Sequence, residues 1–404
     1  MKDFVTLVEG SVTAARGFRA AAVSAGIRYS RDDMAMIVSD RPAAVAGTFT
    51  TNRVCAPPVK VCREHLKGGR ARAIVVNAGC ANACTGKLGM DNARKMARLT
   101  GEALGVPAAT VFPCSTGTIG LQLPMDKIGA GIKLAAGALS ADGGPRAARA
   151  IMTTDTVDKQ IALEFRIDKV PVRIGGITKG AGMIEPNMAT MLCFITTDAA
   201  VEPKALQACL SAAVAESFNR ITVDGDMSTN DTVLLMANGA ARNKRLSPGH
   251  RQWKTFVAAV NTVTKQLALK IVRDGEGATK FVTVTVEGAA SDADARKASR
   301  AVANSLLVKT SWFGCDPNWG RVIDAVGYSG AEVNEALVDI AYDGISAVKG
   351  GMKAPDFSLK DLDRVLRQKN FTIAIDLRLG KGVDTVYTCD CSYDYVKINA
   401  DYMT

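Results

Sequence analysis

Histidine is nearly missing from this chain, with only His65 and His250 among 404 residues. That shortage argues against a zinc site and against any catalytic apparatus built on several imidazoles. The ten cysteines contain no Cys-x-x-Cys pair, and over this length they do not amount to a disulfide framework. Most are expected to be reduced and buried like small apolar residues. Aromatics make up only 5% and do not interleave with the basic stretches at 63–72 and 241–254, so stacking platforms for nucleic acid are lacking. No apolar run nears the ~20 residues that cross a bilayer. Asp3 and Glu9 interrupt the first segment before the core of a secretion signal could form. A cytoplasmic protein without nucleic-acid or membrane partners is the expectation.

The composition that is present, 48% hydrophobic and 22% charged, belongs to a soluble globular protein. A chain of 404 residues is long for one core, so two or three domains are expected. The net charge of +10 suits anionic small molecules such as amino acids or coenzyme A. Strand and helix patterns alternate. Ala73–Val76 reads as a short buried strand ending in a small-residue turn, and Met90–Gly105 as a helix capped by Asp91. Lys159–Ile167 places Ile161, Leu163, Phe165 and Ile167 on one face of a strand. Glu202–Ile221 and Trp253–Ile271 read as helices, and Lys280–Gly288 and the segment from Phe371 as strands. The polar stretch Ser291–Arg300 starts a further helix and marks a domain joint near 288–300. Clustered strands with interspersed helices predict a layered α/β protein with mixed or antiparallel sheets.

Four glycine-rich, polar stretches lie at element ends, where function concentrates. CSTGTIG (114–120) reads by itself as a strand-to-helix turn. Read chemically, it offers the Thr116 hydroxyl and the Gly117 N–H as an oxyanion hole. KGAGMIEPNMATML (179–192) puts Lys179 within a glycine turn's reach of Thr190. DGDMSTND (224–231) lacks the glycine and final acid of a calcium loop, and Ser228 with Asp231 suggests a capping box. DGEGATKF (274–281) carries Glu276 on a bare turn that could receive a substrate amine.

The seam at the middle of the chain raises the sharpest question. Ala189 and Thr190 join a turn containing Pro186 and Asn187 to a buried strand of Met191, Leu192, Phe194 and Ile195. A β-branched threonine fits the start of a strand. A threonine placed against a backbone carbonyl is also a nucleophile.

The stretches FTTNRVCAPPV, NAGCANACTG, STGTIG, TTDT, GAGMIEPNMATML, VDGDMSTNDTVLLMANG, RDGEGATKF, DPNWGRV and VKINADYMT follow one another in a single order. Through them the chain resembles the ornithine acetyltransferase family, the glutamate N-acetyltransferases of arginine biosynthesis, over nearly its whole length. The resemblance implies a self-processing αββα sandwich of the N-terminal-nucleophile type, with mixed sheets and a smaller second domain. It implies that Thr190 is the nucleophile, freed when the chain cuts itself at Ala189–Thr190 into an α chain, 1–189, and a β chain, 190–404. Thr116 and Gly117 then match the oxyanion donors. Thr153, Lys179, Thr190, Glu276, Asn399 and Thr404 match the substrate-binding positions. No cofactor or metal is implied, and an α2β2 heterotetramer of the cleaved chains is. Some members of the family also take acetyl-CoA as a donor, and no phosphate loop is visible here to decide that point.

This chemistry fits the missing histidine. A threonine hydroxyl needs a base, and an N-terminal threonine carries one, since a free α-amine has a pKa of about 7.7–8.0. Acetyl transfer from N2-acetylornithine to glutamate would then run through an acetyl-threonine ester. Two other classes stay open: a self-cleaving amidohydrolase or aminopeptidase that passes its acyl group to water, and a non-enzymatic ligand-binding protein.

Overall fold

The computed structural model describes residues 5–28, 31–185 and 191–401. They form two units, one of residues up to Asn219 with Asp226–Ile271, the other of Arg220–Gly225 with the chain from Val272 onward. The first contains strands β1 (Val5–Val8), β2 (Phe18–Val23), β3 (Met34–Phe49), β4 (Arg70–Cys80), β5 (Val111–Thr118), β6 (Lys159–Ile167), β7 (Val170–Lys179), β8 (Leu192–Thr197) and β9 (Thr232–Ala237). Its helices are α1 (Pro57–Leu66), α2 (Gly86–Leu104), α3 (Met125–Gly137), α4 (Gly144–Ala150), α5 (Pro203–Ala215) and α6 (Trp253–Arg273).

The nine strands run in the order β1-β6-β7-β8-β9-β3-β4-β5, with β2 on β3. Two neighbouring pairs, β4·β5 and β8·β9, are parallel and the others antiparallel, so the sheet is mixed. Strand β3 is the hinge of this arrangement. Met34–Val38 pairs with β4 and Ala44–Phe49 with β9, and the ladder to β4 shifts register between Val38 and Ala43. Asp40, Arg41 and Pro42 are exposed in that gap, and Pro42 has no N–H to offer a ladder.

Because successive side chains alternate between faces, each half of the sheet has an inner and an outer surface. Ile37, Ile74 and Phe112 from one half pack in a single core with Ile177, Phe194 and Met236 from the other. On the outer side of the β4·β5 half, Val75 and Val111 pack with Met96 of α2 and Ile128 and Ile132 of α3. Helices α5 and α6 cover the other half. Gln207 of α5 exchanges hydrogen bonds of 2.9 and 3.0 Å with the backbone of Gly47, and Phe256 of α6 lies against Phe165 of β6. The layers are therefore helix, sheet, sheet, helix.

The second unit holds β10 (Phe281–Ala289), β11 (Asp339–Tyr342), β12 (Ile345–Lys349), β13 (Met352–Lys353), β14 (Asn370–Asp376) and β15 (Gly382–Cys389). Its helices are α7 (Asp292–Asn304), α8 (Leu306–Phe313), α9 (Trp319–Gly327), α10 (Leu359–Leu366) and α11 (Tyr393–Asp401). The sheet order is β13-β12-β11-β14-β10-β15, with β10·β14 parallel. Val282, Val284 and Val286 of β10 and Ile373 and Ile375 of β14 meet Ala298 and Val302 of α7 and Trp312 of α8. The alternate residues Thr283 and Thr285 are only half-buried, as a one-sided sheet requires.

Several local expectations change. The strand through Ala73–Val76 continues to Cys80, so Asn77, Ala78 and Gly79 extend it rather than turn it. Likewise β5 runs on through Ser115, Thr116, Gly117 and Thr118. Helix α2 starts at Gly86, leaving Asp91 inside it, where its carboxylate pairs with Lys87 one turn earlier. Ser228 caps no helix. Its hydroxyl accepts from the Asn230 N–H two residues on, a local turn that competes with helix initiation. Ser291, by contrast, does cap α7, accepting from the Asp294 N–H. Residues 288–300 are the end of β10 and most of α7, both within the second unit.

Burial makes a simple contrast testable. Phe194→Ala empties a fully buried site in β8 and should lower stability by about 3–5 kcal/mol. Leu7→Ala, at a side chain 71% exposed, should change it by less than about 0.5 kcal/mol. Urea denaturation of both variants beside the parent measures the difference.

Candidate active site

Strands β4 and β5 end side by side, with Gly79 opposite Gly117. Gly117 has φ +126°, and a Cβ there would lie 2.3 Å from the Gly79 carbonyl carbon. Only glycine allows so close a backbone approach in that conformation. The Thr116 side chain is thereby held, buried, at the end of β5. Asn230 braces the same place by donating Nδ2–H bonds to Ala81 O (2.7 Å) and Ser115 O (2.9 Å). Ser115 Oγ donates to Asn77 Oδ1 at 2.6 Å, and Asn77 Nδ2 to Cys80 O at 2.9 Å.

Lys179, the last residue of β7, comes from the other half of the sheet. It is 3% exposed, and its Nζ donates to Thr116 Oγ1 at 3.1 Å. A hydroxyl that accepts from an ammonium keeps its own hydrogen free to donate elsewhere. The contact therefore leaves the Thr116 hydroxyl hydrogen available to donate and brings Lys179 out of the class of surface lysines.

Asp155 organises the surrounding backbone. Its Oδ1 accepts from Lys159 Nζ (2.6 Å) and from the Gly180 N–H (2.7 Å), and its Oδ2 accepts from the Thr153 N–H (2.9 Å). Burial by itself would raise this carboxyl, but the charges of Lys179 and Lys159 and the Gly180 N–H outweigh it and hold it at about 2. Thr153 is half-buried, and its carbonyl accepts from the Arg31 guanidinium at 2.6 Å. Thr153, Asp155, Gly180 and Lys179 thus make one connected unit.

The strand that follows the seam begins beside this unit. Leu192 of β8 pairs with Lys179 of β7 on one side and with Thr232 of β9 on the other. Just before it, the Met191 N–H donates to Asp231 Oδ1 at 2.9 Å, and the Thr232 N–H donates to Met191 O at 3.1 Å. Burial pushes the Asp231 carboxyl well above its ordinary value, and the Met191 N–H and the charge of Lys179 offset that only in part. Ala189, Thr190 and Thr404 lie outside the described residues.

In the second unit Glu276 is 9% exposed rather than bare, and Asn399 Nδ2 of α11 donates to its Oε2 at 2.8 Å. Ser392 Oγ donates to Gly277 O at 2.6 Å, and Asp390 accepts from the Thr279 and Lys280 N–H groups. Gly277 has φ +67°, and a Cβ there would strike the Tyr395 nitrogen at 2.5 Å. These ties bring Glu276 and Asn399, 123 residues apart, into contact.

Sequence reasoning did not single out Asp155, Lys159 or Asn230, and it read Asp231 as part of a helix cap. One signal was available, an aspartate followed by threonine in TTDT and again in NDT. All ten cysteines are free thiols. No helix among the described residues is long and apolar enough to cross a membrane.

Comparison with known proteins agrees over nearly the full length. The ArgJ family matches residues 19–404. The arginine biosynthesis bifunctional protein ArgJ of Geobacter sulfurreducens is 52% identical over 390 residues, covering 96% of this chain and 99% of its own. The protein of that name from Symbiobacterium thermophilum is 50% identical over 398 residues, covering 98% of this chain and 99% of its own. The crystal structure of arginine biosynthesis bifunctional protein argJ from Bacillus halodurans is 46% identical, with a TM-score of 0.50, and covers 52% of this chain and 98% of that chain.

The charge on Asp155 has a pH signature. A carboxyl lowered from 3.8 to about 2 adds stability above its unfolded value, and that stability is lost as pH falls through the folded value. The parent should therefore weaken between about pH 4 and pH 2 through this group. Asp155→Asn should be flatter over that interval. At neutral pH it should be less stable by about 3–5 kcal/mol, because two buried ammoniums lose their counter-ion. Urea midpoints measured from pH 7 downward check both statements.

Proposed function

The chain belongs to the ArgJ family, and from that premise we propose how its residues carry out acetyl transfer. The protein is an acyltransferase of arginine biosynthesis, a glutamate N-acetyltransferase. Thr190 attacks the Ala189 carbonyl, the resulting ester is hydrolysed, and the new chain starts with a threonine whose α-amine is its base. Thr190 then attacks the acetyl carbonyl of N2-acetylornithine, while the Thr116 hydroxyl and the Gly117 N–H receive the developing oxyanion. Ornithine leaves with the proton from the threonine hydroxyl. The amine of glutamate attacks the acetyl-threonine ester and regenerates the free hydroxyl.

The observation that carries this reading is the buried Lys179–Thr116 contact beside the first residues of β8. It supplies an oriented hydroxyl donor, together with a cation suited to the α-carboxylate shared by donor and acceptor. The Bacillus halodurans chain, matching about half of this one over almost its own full length, supports a processed chain of the size of 190–404. The family resemblance adds Thr153, Glu276, Asn399 and Thr404 as substrate-binding positions, Glu276 being suited by charge to the ornithine ammonium. No cofactor takes part, and acetyl-CoA would enter only as a second donor. The cleaved chains remain docked in the cytoplasm as an α2β2 heterotetramer, since β8 is buried at every residue and would expose an apolar edge if released.

Processing and chemistry are read separately. Thr190→Ala should run as a single full-length chain with no acetylglutamate formed. Thr116→Ala should lose about 10²–10³ in kcat, the cost of one oxyanion donor. Electrophoresis, the N-terminal sequence of the second fragment and an acetylglutamate assay with acetylornithine and then acetyl-CoA give the answer. Cleavage persisting in Thr190→Ala would overturn the nucleophile assignment, and free acetate as the main product would make the protein a hydrolase.

Glu276→Gln keeps size and removes charge. A charge-assisted hydrogen bond is worth roughly 1.5–3 kcal/mol, so apparent affinity for acetylornithine should fall about ten- to a hundredfold. Glutamate, with no side-chain ammonium, should lose less. Steady-state constants for both substrates decide it, and equal losses would mean that Glu276 supports only the shape of the turn.

A further inference from the structure

A second pair of reactive side chains, Lys280 and Cys315, lies in the second unit. Lys280 immediately precedes β10 and is 9% exposed. Its Nζ donates to Leu366 O at 2.6 Å and to Cys315 Sγ at 3.4 Å. No carboxylate pairs with it among the described residues. The Cys315 S–H donates to the same Leu366 carbonyl at 3.5 Å, so sulfur and nitrogen are held against one acceptor and against each other. Cys315 sits in the turn between α8 and α9, with φ +55°. It is half-buried, whereas Lys280 is 9% exposed.

Other cysteines lack one element or another of this arrangement. Cys389 lies 3.9 Å from Lys309 Nζ but is fully buried. Cys84 is exposed and Cys55 and Cys391 are half-buried, but among the described residues no ammonium is hydrogen-bonded to any of the three. Cys62, Cys80, Cys114, Cys193 and Cys209 are buried. Accessibility and an adjacent side-chain nitrogen coincide at Cys315.

We propose that Cys315 and Lys280 form a peroxide-sensitive modification site, in which oxidation joins the cysteine sulfur to the lysine nitrogen. Hydrogen peroxide oxidises the thiol to a sulfenic acid and one water is released. The Lys280 ammonium gives up one proton to solvent, and its nitrogen lone pair then attacks that sulfur. The S–O bond breaks, the departing hydroxide takes a proton from nitrogen as a second water, and an S–N bond remains. This is the condensation that a backbone nitrogen undergoes in a sulfenamide. One peroxide is consumed per link, and both electrons come from sulfur. A dithiol reverses the step: one of its thiols attacks the sulfur, releasing the amine and leaving a mixed disulfide, and its second thiol displaces the Cys315 thiol. The link ties the turn after α8 to a residue four positions beyond Glu276, so it stiffens the segment that carries Glu276.

The test uses the full chain, treated with hydrogen peroxide and digested without reductant. The expected product joins the peptide containing Cys315 to that containing Lys280, lighter than their sum by two hydrogens. It should disappear on treatment with dithiothreitol, and the melting temperature should rise on oxidation and return on reduction. Lys280→Arg, which keeps the charge, and Cys315→Ser, which keeps the size, should each abolish the link and the shift in melting. Cys315 recovered as sulfinic acid or unmodified, with Lys280 free, overturns the proposal. So does a link that survives in Lys280→Arg, or one that forms between Cys389 and Lys309 instead.

Discussion

A lysine ammonium taken out of water has to be matched by acceptors and negative charge, and around Lys179 that requirement shapes the whole first unit. Its Nζ reaches Thr116 on the facing half of the sheet, and its charge helps to keep Asp155 ionised. Asp155 in turn holds Lys159, Gly180 and Thr153. Removing one member would leave another charge buried and uncompensated, so the cluster is rigid because it is expensive to break. The same rigidity holds the Thr116 hydroxyl in one orientation, and a preorganised dipole does not have to reorganise when charge develops beside it.

Two carboxyls feel Lys179 and are driven in opposite directions. Asp155 has a second ammonium and two backbone N–H donors, which outweigh its burial. Asp231 has the Met191 N–H and only the one nearby cation, and burial prevails. One is held as an anion and the other favours its protonated form, at the two ends of the connection between β7 and β8. Divergent environments for neighbouring acids mark sites where protons and charges are managed.

Backbone geometry makes the cluster reachable. The register shift in β3 lets one strand serve both halves of the sheet. The contact of Gly117 with Gly79 lets β4 and β5 end close together. Without the first, Thr116 and Lys179 would lie along one surface; without the second, Thr116 would stand away from the strand ends. In the second unit the same economy appears at Gly277, whose missing side chain lets α11 approach the turn that carries Glu276.

The alternation in 159–167, the apolar residues after the central seam and the helix start at Ser291 were legible in the sequence, because each depends on neighbours two to four positions away. The polar, glycine-rich surroundings of Thr116, Gly117, Lys179 and Glu276 also drew attention to them, and the structure places Thr116, Lys179 and Glu276 in buried, hydrogen-bonded positions. Sequence alone did not show that NAGC and STGT continue strands, since a glycine that reads as a turn is also what two closely approaching backbones need. Nor did it show Asp155 and Asn230 as braces or the true place of Asp231. Their partners lie 25 to 149 residues away at Gly180, Ala81 and Met191. Charge state and orientation at such positions follow from burial and from partners across the fold, and only the tertiary structure decides them.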